Sequence, residues 1–95
     1  MMLSKQEFLV RAQLEGETLE EWIQEEWLIP GQSAGELTFS DADITRAQLI
    51  RDLKGDLGVN NEGVGVILNL VDQVHGLRRV LTELLKSVHD RAPMA

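Results

Sequence analysis

The stretch ETLEEWIQEEWLIPG, Glu17–Gly31, reads as a short amphipathic helix stopped by Pro30 and Gly31. Leu19, Trp22, Ile23 and Trp27 recur at the i, i+3, i+4, i+8 spacing of one buried helical face. The outward positions carry Glu20, Glu21, Gln24 and Glu25, and the stretch holds no Lys or Arg. A face that only keeps a protein soluble usually mixes Lys with Glu, because i, i+4 pairs add about 0.2–0.5 kcal/mol each. This face forgoes them. The four residues are therefore candidates for binding a cationic partner, set against the plainer reading of a solvated helix surface.

Working outward, three helix starts are marked by Ser or Thr with a carboxylate three residues on: Ser4 with Glu7, Thr18 with Glu21, and Ser40 with Asp43. In each, the hydroxyl can accept from an unpaired amide of the first turn while the carboxylate reaches back. The first helix is expected over about Lys5 to Leu14, with Phe8, Leu9 and Ala12 inward. After Gly31, the run GQSAGELTF turns on Gly and Ser, and Leu37 and Phe39 alternate with polar neighbours, as in one arm of a small hairpin. A third helix follows from about Asp41 to Leu57, with Ile44, Ala47, Leu49, Ile50, Leu53 and Leu57 mostly on one side, closed by Gly58.

Asn60 or Asn61 can cap a fourth helix reaching about Val88. Its apolar residues divide into two stripes. Val64, Ile67, Val71, Val74, Leu81, Leu85 and Val88 follow a spacing near a heptad, broken at Arg78, while Val66, Leu70, Leu77, Val80 and Leu84 lie to one side. A helix apolar on two sides needs two neighbours. One stripe can cover the small N-terminal bundle, and the other implies a second subunit, with Val64, Ile67, Val71, Val74, Leu81 and Leu85 as the expected dimer seam. The alternative is one wide stripe serving a monomeric core.

Bulk properties bound the function. The 95 residues fit one domain, about 4–57 forming the compact part and about 60–89 the long helix. With 43% hydrophobic and 26% charged residues the chain has the balance of a folded globular protein rather than of a disordered tail. No cysteine is present, which excludes disulfides, thiolate metal sites and thiol nucleophiles. The start MMLSKQE has no basic stretch leading into an apolar run, and no segment is apolar for long enough to span a bilayer, so a cytoplasmic protein away from membranes is expected. The net charge is −7, and Met1 to Asp43 sets only Lys5 and Arg11 against ten carboxylates. Such a half repels nucleic acid and attracts basic surfaces. His75 and His89 lack partners at metal-ligand spacing, and no nucleophile elbow or phosphate-cradling loop occurs. Neither catalysis nor a cofactor or metal is expected.

Helix, helix, wing, helix, long helix resembles the MerR-type winged helix-turn-helix: an all-α class with a short β wing and a long C-terminal helix. EEWLIP, Glu25–Pro30, occupies the place of that family's second-helix ending, and GELTFSDADI, Gly35–Ile44, is similar to its wing strand entering the third helix. Family DNA readers offer Arg and Tyr on the second helix and Arg after the wing glycine. Here Glu20, Glu21, Glu25 and Glu36 stand in those regions, which reverses the sign of the phosphate-binding contribution. Within the same architecture, Arg46–Leu84 is similar to the C-terminal half of the chaperone modulator CbpM family, including the turn DLGVN and the run LVDQVHGLRR, Leu70–Arg79. That resemblance implies a small protein that binds the J-domain of a DnaJ-like, CbpA-type co-chaperone and restrains it. J-domains carry a basic helix, which an acidic helix could cover. The rival expectation is a MerR-like transcriptional regulator, for which Arg46, Arg51 and Lys54 are the candidate phosphate contacts.

Overall fold

The computed structural model describes residues 2–91. In chain order they form β1 (Leu3–Ser4), α1 (Lys5–Ala12), α2 (Gly16–Gln24), β2 (Gly31–Ser33), β3 (Glu36–Phe39), α3 (Asp41–Gly55) and α4 (Asn61–Arg91). The chain divides into two compact units at Val64 and Gly65, inside α4.

In the first unit the helices begin where hydroxyls satisfy orphan amides. The Glu7 N–H donates to Ser4 Oγ at 3.2 Å and the Ser4 N–H to Glu7 Oε1 at 3.0 Å, and Ser40 and Asp43 repeat the exchange at the head of α3 at 3.3 and 2.9 Å. The third expected box does not form. Glu15 is the N-cap of α2 without a side-chain bond, and Thr18 lies inside the helix, which starts three residues earlier than a cap at its hydroxyl would allow.

The end of α2 also differs from expectation. Glu26 turns left-handed at φ 63°, so the Glu26 N–H donates to Ile23 O at 3.0 Å and the Trp27 N–H to Trp22 O at 2.9 Å, the paired bonds of a Schellman cap. Trp27 is therefore buried from beyond the helix rather than from its face, its ring centroid 6.3 Å from that of Trp22. Helix α1 closes the same way, with Gln13 left-handed at φ 56° and the Leu14 N–H donating to Leu9 O. Third in this series, α3 ends at Gly55, Gly58 takes positive φ, and Leu57, expected inward, is exposed.

The wing is a hairpin in which β2 pairs with β3 through Gly31↔Thr38, Gln32↔Leu37 and Ser33↔Glu36. Ala34 and Gly35 both have positive φ, as the right-handed twist of a two-residue connection requires. A third strand, absent from the sequence reading, completes the sheet: β1 pairs antiparallel with β3, Leu3 opposite Phe39, giving the order β1-β3-β2. The fold is thus four helices with a three-stranded sheet rather than helices and a wing alone. Leu3, Phe8, Ala12, Leu19, Trp22, Leu28, Phe39, Ala47, Ile50 and Val64 are buried around one core, each large apolar side chain contributing about 1.5–3 kcal/mol. Leu9, Ile23, Ile44 and Leu49 are half-buried.

Asn60, one of the two asparagines proposed as the cap, closes the head of α4, its Oδ1 accepting the Gly63 N–H at 2.7 Å. Gly63 is required there, since an added Cβ would come within 2.7 Å of Val59 Cγ1 and 3.0 Å of Asn60 Oδ1. Asn61 instead accepts from the Lys54 ammonium.

Candidate protein-binding faces

Helix α2 presents Glu20, Glu21, Gln24 and Glu25 to solvent, all four exposed, while Leu19 and Trp22 are buried behind them. Glu20 with Gln24 and Glu21 with Glu25 are i, i+4 neighbours, so the four form one patch. The Glu21–Glu25 pair is mildly self-repelling. Glu17, Glu26 and Glu36 are exposed as well. The sequence-derived patch is thus intact on the surface and held by a buried apolar rear.

The three basic residues a nucleic-acid reader would need have internal tasks. Arg46 Nε donates to the Trp27 carbonyl, holding the turn after α2. Arg51 Nη1 donates to the Ala12 carbonyl at 3.1 Å and approaches Gln13 Oε1 at 3.5 Å, serving the orphan acceptors at the end of α1. Lys54 Nζ lies 5.6 Å from the Trp27 ring centroid, in cation–π contact, while bonded to Asn61. These three cations of α3 stitch α1, the turn after α2 and the α4 head to that helix.

The second unit is helical and carries the other face. Val66, Leu70, Val74, Leu77, Val80, Leu81, Leu84, Leu85 and Val88 are all exposed. With the half-buried Ile67 at its head, an unbroken 3–4 spacing runs through them, Ile67, Leu70, Val74, Leu77, Leu81, Leu84, Val88, with β-branched residues or Leu at one heptad position and Leu at the other. The outer positions from Asn69 on are polar except Gly76: Asn69, Asp72, His75, Arg79, Thr82, Glu83, Lys86, His89 and Asp90. Of the expected seam, Ile67, Val74 and Leu81 belong to this row, and Val71 and Leu85 flank it. Val64 does not. It is fully buried in the first unit, leaving no surface for a second subunit.

Among the described residues no group of three His, Cys, Asp or Glu is placed to hold a metal ion, and no helix is long and apolar enough to cross a membrane. The sequence matches the profile of the MerR HTH family regulatory proteins over residues 3–86. The chain belongs to the MerR HTH family. That match runs from β1 into the last turns of α4, so the MerR assignment covers both units. No curated protein matches this MerR chain significantly.

Proposed function

We propose that this MerR-family chain is a cytoplasmic protein-binding modulator that restrains a DnaJ-like, CbpA-type co-chaperone by covering the basic helix of its J-domain with the acidic face of α2. The observation that carries the reading is the exposed, one-signed patch Glu20, Glu21, Gln24, Glu25 on the helix where a DNA reader would set cations. A carboxylate surface repels phosphate and steers a basic surface into encounter, and occupying the J-domain excludes its ATPase partner without any bond being made or broken. The internal bonds of Arg46, Arg51 and Lys54 support the same reading.

The chain acts, in this proposal, as a homodimer in which the Ile67–Val88 row of α4 meets its copy. Left in water, nine exposed Val and Leu side chains on one helix are the kind of surface that association removes. The regulator reading keeps the family description on its side, and it is the outcome to test against.

Titrating labelled duplex DNA and, separately, a purified J-domain at low and moderate salt separates the two. The modulator reading expects a J-domain complex whose association rate falls when Glu21 and Glu25 are both changed to Lys, with helicity unchanged. Tight, salt-sensitive DNA binding without a J-domain complex overturns it. For the dimer, sedimentation of Leu77→Glu should give monomers while Arg79→Glu, on the outer face, stays dimeric; a dimeric Leu77→Glu protein moves the seam elsewhere.

A further inference from the structure

Ile29 is the most exposed large apolar residue described, at 78%. Isolated apolar residues on a surface are ordinary. This one is held there by its surroundings. Its predecessors Trp27 and Leu28 take the inward positions, and Trp27 is fixed by the Schellman bond to Trp22 and by Arg46 on its carbonyl. On the other side Pro30 confines Ile29 to extended backbone, and Gly31 is already paired with Thr38 in the hairpin. The left-handed Glu26, a conformation a glutamate adopts at a cost, directs the chain into this path. Ile29 is thus pinned from both ends with its side chain in water, and folding alone gains nothing from that.

Its position relative to the carboxylates is fixed by chain length. Three residues of extended chain span at most about 11 Å, so Ile29 stands within that distance of Glu26 and little farther from Glu25. A binding patch of about 800 Å² per partner is roughly 30 Å across, wide enough to take in both. Interfaces of this kind place an apolar anchor inside a charged rim: the charges steer the encounter and the anchor sets the lifetime.

We propose that Ile29 is the apolar anchor of the acidic α2 face, seating against an apolar side chain set among the Lys and Arg residues of a cationic helix on the partner. This rests on the reading of that face as a J-domain-binding surface, and it adds the residue that holds the complex once charge has assembled it.

The test measures association and dissociation rates of the full chain on immobilised J-domain, for the wild type, Ile29→Ala, the Glu21→Lys/Glu25→Lys pair, and Leu57→Ala as an exposed apolar control. The expected result is dissociation about tenfold faster for Ile29→Ala, with association within about twofold of wild type. That effect should persist at high salt, where the effect of the charge-reversed pair shrinks. Leu57→Ala should match wild type in both rates. Emission from Trp22 and Trp27 reports that each variant is folded. A wild-type complex whose dissociation is unchanged by Ile29→Ala overturns the anchor and leaves the acidic face standing. A wild type that forms no complex overturns the function and the anchor together.

Discussion

The ring of Phe8 on α1 lies stacked on that of Phe39 on β3, centroids 4.2 Å apart and planes inclined by 11°. Both rings are fully buried, and Leu3 pairs with Phe39 along the backbone. One contact therefore joins the first helix, the first strand and the wing. Phe39→Ala should lower the unfolding free energy by about 3–5 kcal/mol, a large share of what a domain of this size possesses. Urea denaturation followed by Trp emission reads the change.

Three non-glycine residues, Gln13, Glu26 and Ala34, sit in left-handed backbone where the side chain costs energy. Glu26→Gly should stabilise the first unit by up to about 1 kcal/mol, because glycine takes φ near 63° without steric penalty. Ala34→Asn should act in the same direction, creating the Asn-Gly pair that two-residue hairpins with two positive φ values prefer. The denaturation midpoint of each variant, compared with wild type, checks the sign.

Arg46 supports structure through the Trp27 carbonyl. Arg46→Ala should cost about 1.5–3 kcal/mol, the range for a hydrogen bond to a charged group, whereas Lys86→Ala on the exposed part of α4 should be close to neutral. Equal midpoints for the two variants would remove Arg46 from the account of how the turn after α2 is held.

The Glu7 carboxyl is held below its ordinary pKa of 4.5, first by the Ser4 backbone N–H and then by the Ser4 hydroxyl. A depressed carboxyl contributes stability that is fully present above its ordinary pKa and is lost as the pH falls through its lower value in the folded state. The gap in melting temperature between wild type and Glu7→Gln should therefore be widest near neutral pH and narrow as the pH falls below the ordinary carboxyl value of 4.5. Parallel melting curves across that range would show that the cap does not titrate.

Much of the architecture was legible because it depends on local chemistry. The boxes at Ser4 and Ser40, the turn at Ala34–Gly35 and the cap at Asn60 are written in adjacent residues, and α1, α3 and α4 start where those signals stand. The acidic patch on α2 followed from periodicity alone. What could not be read depends on contacts between distant residues or on backbone turns that no residue type announces. Strand β1 is two residues long and exists only because Phe39 is beside it. The end of α2 defied the pattern because Glu26 has no glycine-like signal; the bonds from Glu26 and Trp27 back to the helix make its left-handed turn worthwhile. Val64 and Ile67 share a spacing, yet only the packing of the first unit removes Val64 from the outer row. Ile29, hidden in an apolar run, is exposed because its neighbours face inward, and no periodic signal distinguishes it from them.

Because Leu3 joins the sheet only through Phe39, and Ser4 both ends that strand and caps α1, the first helix cannot gain its final setting while the wing is still being synthesised. The core that encloses Phe8 and Leu19 also takes in Ala47, Ile50 and Val64, so the N-terminal helices are not fully covered before α3 and the head of α4 are in place.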